Sequence, residues 1–174
     1  GSILYAYHAN GKPLQIISSG GSTINMQYDS LGRQIRLDDP DAGRMDYQYN
    51  VLGQLTRQTD AKGNISDLTY DLLGRVTLQK GNHSDSIIYQ YDDAHGKGMI
   101  DKITGSPALY NGIVCDYNYD SFSRLANKTE TVDMVNYTSS YAYDSLGRIR
   151  QETYPSGFAT TMAYNDLGYL EKIR

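Results

Sequence analysis

The chain has 174 residues and 16 Lys+Arg against 20 Asp+Glu, a formal net charge of −4. With no basic run, it lacks the electrostatic footprint of a nucleic-acid binder. Its aromatic content is one-sided, with 17 Tyr against 2 Phe and no Trp, and no apolar stretch approaches the roughly 18 residues of a membrane helix.

In chain order, Gly1-Ser2 reads as a cloning scar, and residues 3–174 read as one repeat region of about eight copies, a section of a longer polypeptide. The pattern Tyr-Asp/Asn-x-x-Gly-Arg is clearest at Tyr28-Asp29-Ser30-Leu31-Gly32-Arg33, Tyr70-Asp71-Leu72-Leu73-Gly74-Arg75 and Tyr143-Asp144-Ser145-Leu146-Gly147-Arg148. Looser copies begin at Tyr7, Tyr49, Tyr91, Tyr119 and Tyr164, so the anchor tyrosines are 21, 21, 21, 21, 28, 24 and 21 residues apart. The two longer spacings predict insertions.

Ahead of each anchor, apolar and polar residues alternate, the period of a half-buried strand. Ile24, Met26 and Tyr28 oppose Asn25 and Gln27, and Met45, Tyr47 and Tyr49 oppose Asp46 and Gln48. After each anchor, Asp or Asn can bond its own backbone two residues on and Gly accepts positive φ, so the chain reverses. A second apolar-bearing segment follows (Ile35 and Leu37, Val76 and Leu78, Leu125, Ile149), then a second turn such as Pro40-Asp41-Ala42-Gly43, Asp60-Ala61-Lys62-Gly63 or Pro155-Ser156-Gly157. Each repeat is thus a hairpin, and the fold class is all-β: an antiparallel meander of repeated hairpins. Folded compactly, a chain of this length would bury roughly two thirds of its unfolded surface around a core. As a flat ribbon, about sixteen strands would measure roughly 75 Å across, so the open sheet is expected to curve or spiral.

Few residues offer chemistry. His8, His83 and His95 fall near turns of different repeats and read as surface histidines. Asp92, Asp93 and His95 form one dense ionisable cluster, in a degenerate turn with too few spaced oxygen ligands for calcium. Cys115 is the only cysteine and occupies the apolar column of Ile24, Met45 and Ile87, a packing position without an accompanying acid or histidine. Ser19-Gly20-Gly21-Ser22 lacks the helix and lysine of a phosphate cradle and reads as a loop between hairpins. No catalytic, cofactor or metal residue is expected. The tyrosines permit one binding reading, since an aromatic ladder on β-repeats can stack sugar rings; Tyr47, Tyr89, Tyr117 and Tyr141 are the candidates.

The recurring Tyr-Asp-x-x-Gly-Arg unit resembles the YD-repeat, or Rhs, family of bacterial surface and toxin-associated proteins, whose animal relatives are the teneurins. The resemblance covers residues 5–174. It implies a non-catalytic section of β-shell, secreted or displayed on a bacterial surface, that encloses or presents another part of its own polypeptide, often a C-terminal toxin. Its partners would be the flanking repeats and that cargo. Bare strands at the two ends, carrying Leu4, Tyr5 and Tyr7 and then Leu167, Tyr169, Leu170 and Ile173, also predict edge-to-edge self-association. The second reading is a glycan-binding repeat that uses exposed tyrosines.

Overall fold

The structure, a computed structural model, describes residues 1–82, 85–106 and 112–174; His83 lies outside the described residues. The chain divides into two bodies, Gly1–Ser84 and Asp85–Arg174. The first holds β1 (Ile3–Tyr7), β2 (Pro13–Ser18), β3 (Thr23–Tyr28), β4 (Gln34–Asp39), β5 (Gly43–Tyr49), β6 (Leu55–Thr59), β7 (Ile65–Tyr70) and β8 (Val76–Lys80). The second holds β9 (Ser86–Tyr91), β10 (Ile100–Gly105), β11 (Val114–Tyr119), β12 (Leu125–Val132), β13 (Val135–Tyr143), β14 (Ile149–Thr153), β15 (Ala159–Tyr164) and β16 (Leu170–Ile173). All the described elements are strands, so no helix is long and apolar enough to cross a membrane. Within each body every strand pairs antiparallel with its chain neighbours, as an open meander.

The hairpin turn after each anchor explains the motif's polar letters. In the Tyr28 copy the Asp29 amide donates to the Arg33 carbonyl, and the Gly32 amide donates back to the Asp29 carbonyl, each at 2.9 Å. The Asp29 carboxylate accepts the amides of Leu31 and Arg33 at 2.9 and 2.8 Å. Asn50 does the same for Leu52 and Gln54, and Asp71, Asp144 and Asn165 repeat the pattern. The glycine adopts the left-handed conformation this loop demands, φ 82° at Gly53. The register shifts by one residue just before the anchor in every such hairpin, for instance between Gln27 and Tyr28 and between Ala142 and Tyr143. The bulge lets the five-residue turn close without splaying the strands.

The longer spacings also resolve into local features. The insertion after Tyr91 makes the turn 92–99, where Asp92 takes φ 72° and its carboxylate accepts the Gly98 amide at 2.7 Å. The repeat that follows gains an extended hairpin, β12–β13, closed by Asp133 and Met134 at φ 50° and 63°. Positive φ at both central residues is the two-residue hairpin turn whose twist matches the strands.

Each body is a single layer, and among the described residues Met26, 8% exposed, is the one buried hydrophobic side chain. One face of a sheet needs a second layer to bury it, and these strands contact chiefly their sheet neighbours. Cross-strand pairs therefore matter more than burial. On the polar face, directly opposed residues form ion pairs: Arg36 with Asp46 at 2.8 Å, Arg57 with Asp67 at 2.6 Å and Lys102 with Asp116 at 2.8 Å. Solvent screens such exposed pairs, so each stabilises only weakly.

Two substitutions at one turn position should move stability in opposite directions. A Cβ on Gly53 would meet no atom within 4 Å, so Gly53→Ala bears only the left-handed backbone cost, about 1 kcal/mol, or roughly 2–4 °C in thermal unfolding. Ser123 occupies the equivalent place in its repeat at φ 59°, and Ser123→Gly should raise the melting temperature by a similar or smaller amount.

Candidate functional site

The densest chemistry lies where consecutive repeats meet. Six of the anchor tyrosines reach across to the strand before them and donate their hydroxyls to a backbone carbonyl. Tyr28 bonds Pro13 at 2.9 Å, Tyr49 bonds Gln34 at 2.8 Å, and Tyr70 bonds Leu55 at 2.7 Å. Tyr119, Tyr143 and Tyr164 reach Ile100, Leu125 and Ile149, each at 2.8 Å. In all six the acceptor is the first residue of the preceding strand, and the side chain just ahead of it in sequence belongs to the motif's arginine position.

That arginine covers the ring whose hydroxyl its neighbour holds. The guanidinium of Arg33 lies 4.9 Å from the Tyr49 ring centroid; Arg124 and Arg148 lie 4.3 Å from Tyr143 and Tyr164. Lys12 stands in for it over Tyr28 at 5.5 Å. A half-desolvated cation over a tyrosine face contributes about 0.5–2 kcal/mol. The cation is steered by its own turn: Arg33, Arg124 and Arg148 pair with Asp29, Asp120 and Asp144 at 2.7 Å. Arg33 also donates to the Asn50 carbonyl at 2.9 Å, and Lys12 donates to the Gly32 carbonyl, so the cation ties into the next repeat's turn as well.

Degenerate repeats keep the geometry by other means. Gln54 replaces arginine and accepts the Asn50 amide group at 2.7 Å. Before Tyr119 the place falls to Met99, and the turn backbone at Gly96 covers the ring. A Cβ on Gly96 would sit 2.4 Å from the tyrosine's Cδ2, so no larger residue fits there.

The electrostatics follow from these contacts. The carboxyls of Asp29, Asp71 and Asp144 are held below the usual aspartate range, first by the amide of the following arginine and then by its guanidinium, while desolvation opposes them. For Asp120 the Arg124 side-chain bond leads. Desolvation pushes up the hydroxyls of Tyr49, Tyr119 and Tyr143. They stay protonated as donors at neutral pH.

The sugar-stacking candidates Tyr47, Tyr89, Tyr117 and Tyr141 are all half-buried. Tyr47 points its hydroxyl at the Met45 sulfur at 3.7 Å, and Lys128 stands 5.9 Å over Tyr117. The open rings lie elsewhere: Tyr5 and Tyr7 stack at 6.2 Å, as do Tyr154 and Phe158 at 6.0 Å. Cys115 lines an apolar cleft of about 240 Å³ with Ile87, Ile103, Gly105 and Ile113, and burial pushes its thiol up. Among the described residues no three of His, Cys, Asp and Glu gather as metal ligands.

Two features are not read from the sequence. One is the arginine's place over the next anchor, whose only signal is its recurrence four residues after Asp. The other is the turn tip, where an apolar residue stands in solvent three places after the anchor: Leu31, Leu52, Leu73, Phe122, Leu146 and Leu167 are all exposed.

Tyr143→Phe should leave the ring and its cover in place but remove the hydroxyl bond, lowering stability by about 1 kcal/mol in denaturant unfolding. The depressed aspartates give a second test. A carboxyl whose pKa falls on folding stabilises the native state above its unfolded value, about 3.9, and this contribution is lost as pH drops through the folded value. Asp144→Asn keeps the turn acceptor that Asn50 and Asn165 already supply. It should therefore flatten the decline of melting temperature below about pH 4 while changing that at pH 7 far less than Asp144→Ala does.

Residues 49–84 match the RHS Repeat family. The sequence matches no curated protein. In fold, the chain is similar to TcdB2-TccC3 without its hypervariable C-terminal region, at 17% identity and a TM-score of 0.76 over 97% of this chain and 10% of that one. It is also similar to TcdB2-TccC3-Cdc42, at 18% identity and a TM-score of 0.75 over 94% of this chain and 10% of that one. The Photorhabdus luminescens Tc holotoxin pore, bearing a TccC3 substitution, gives 18% identity and a TM-score of 0.75 over 97% and 10%. The chain thus spans about a tenth of these neighbours' length, and at such identity the likeness is one of fold. Residues 49–84 thus carry the Rhs repeat, the tyrosine–carbonyl bond recurs on both sides of them, and the fold over nearly the whole chain is shared with these neighbours.

Proposed function

We propose that this chain is a non-catalytic section of β-shell in a secreted or surface-displayed bacterial protein, and that its work is to enclose or present another part of the same polypeptide. The observation that carries the reading is the use to which the anchor tyrosines are put. Their hydroxyls are consumed by the backbone of the preceding strand and their faces by the preceding cation, so the most repeated chemical group in the chain serves wall construction. The neighbouring TcdB2-TccC3 structure is described as lacking a hypervariable C-terminal region. A variable segment of that kind, a toxin for instance, is the cargo we assign by analogy.

Limited proteolysis of the parent polypeptide tests the reading. A segment outside the repeats should resist cleavage while the repeats are folded and become cleavable once they are unfolded by heat. Equal cleavage in both conditions would refute enclosure. Titration with soluble oligosaccharides, followed by tyrosine fluorescence, addresses the other reading. Saturable binding lost in Tyr47→Ala and Tyr117→Ala would move the function to glycan recognition.

A further inference from the structure

We infer that the cleft beside Tyr70 takes an arginine side chain from a partner polypeptide, in the seat that other junctions fill from their own repeats. At four junctions a cation of the preceding repeat stands over the anchor ring: Lys12 over Tyr28, Arg33 over Tyr49, Arg124 over Tyr143 and Arg148 over Tyr164. At the Tyr70 junction both members of the steering ion pair are neutral amides, Asn50 where the preceding copy has Asp29 and Gln54 where it has Arg33. The Asn50 side chain holds Gln54 on its own turn at 2.7 Å. The Gln54 amide ends at Gly74 of the next turn, the place that the Lys12 ammonium takes at Gly32.

The side chains around this junction are smaller as well. Thr56 stands where β4 has Ile35, and Leu68 where β5 has Tyr47. With Gln58 opposite Ser66, alternation puts Thr56, Leu68 and Tyr70 on one face of the β6–β7 seam. Together with Gln54, and with Leu52 and Leu72 at the flanking turn tips, they line a cleft of about 430 Å³. Its parts match what an arginine presents. Tyr70 supplies the aromatic face that Arg148 finds on Tyr164 at 4.3 Å. The Asp71 carbonyl corresponds to that of Asn50, which accepts both the Gly53 amide and the Arg33 guanidinium; at Asp71 the described residues supply only the Gly74 amide. Leu52 and Leu72, 79% and 106% exposed, give apolar walls for the aliphatic stem. A planar guanidinium stacks on a ring while donating in its own plane, which the point charge of lysine does not reproduce. The chain's net charge of −4 favours a basic partner. The seat is independent of what the shell encloses.

Methyl NMR of the 174-residue chain reads the seat through Leu52, Leu68 and Leu72, with Leu31, beside the Lys12-covered Tyr28, as the control. Titration with the peptide acetyl-Gly-Arg-Gly-amide should shift the first three saturably and leave Leu31 in place. The same peptide with citrulline, which keeps the shape and removes the charge, should bind about 2–30-fold more weakly, the range that a cation over a ring contributes. Gln54→Arg supplies the cation from within the chain and should abolish the shifts. The double variant Asn50→Asp, Gln54→Arg rebuilds the whole ion pair, and should abolish them while raising the melting temperature. Three binding results would overturn the inference: no saturable shift with the arginine peptide, equal affinity for the citrulline peptide, or arginine-peptide shifts that survive in the double variant. A lower melting temperature in the double variant would overturn it too, by showing that the cleft is not shaped for a guanidinium.

Discussion

The bond from an anchor tyrosine hydroxyl to the backbone of the preceding strand is the constraint around which the rest is arranged. A single-layer sheet has no second layer to fix one hairpin against the next, so lateral register must be held by side chains within the sheet. Tyrosine suits this use because its ring spans the gap between strands and its hydroxyl ends on a carbonyl, here at 2.7–2.9 Å. Phenylalanine would cover the same surface without fixing the register, and tryptophan would direct its N–H elsewhere. Six of the 17 tyrosines are used in this way.

From that bond the other letters of the motif follow in turn. The ring needs a cover on its open side, and the arginine of the preceding repeat supplies it, as Arg148 does for Tyr164. An unsteered arginine would lose side-chain entropy to stay there; pairing with Asp144 at 2.7 Å holds it. The same carboxylate organises the turn by accepting two amides, and the turn closes only with a residue at positive φ. The hydroxyl bond and the covering cation join a repeat to its neighbour, while the ion pair and the turn lie within one repeat, which is the physics of a quasi-one-dimensional array. Insertions on the side of a hairpin away from the anchor leave the bond intact: Tyr119 and Tyr143 find their carbonyls 19 and 18 residues back, where the regular repeats need 15.

The parts of this arrangement that depend on neighbours in sequence were legible without coordinates. Alternation before Tyr28 and Tyr49 marks strands, Asp29 and Gly32 mark the turn, and the spacing of the anchors places equivalent rings in equivalent sites. The target of the Tyr49 hydroxyl lies on another strand, and that target depends on register, which a one-residue bulge at Gln48 and Tyr49 resets. For the same reason the arginine's role was hidden: Arg33 is adjacent to its turn in sequence, but the ring it covers is Tyr49, one repeat later. How little of the apolar surface would be covered was not legible either. Composition measures how much apolar surface exists, not whether a second layer is present to cover it, and Leu31 and Leu73 spend theirs on solvent at the turn tips.

The locks also bear on what such a wall can do. All of them join neighbouring strands of one sheet, so no second layer is needed to hold successive hairpins in register. The faces and turn tips are then free to vary in chemistry, and they do. One face carries the opposed pairs Arg36–Asp46 and Arg57–Asp67, while the turn tips carry apolar residues that no intramolecular contact requires. A single layer whose strands touch chiefly their immediate neighbours can thus be varied at its turn tips without a change of architecture.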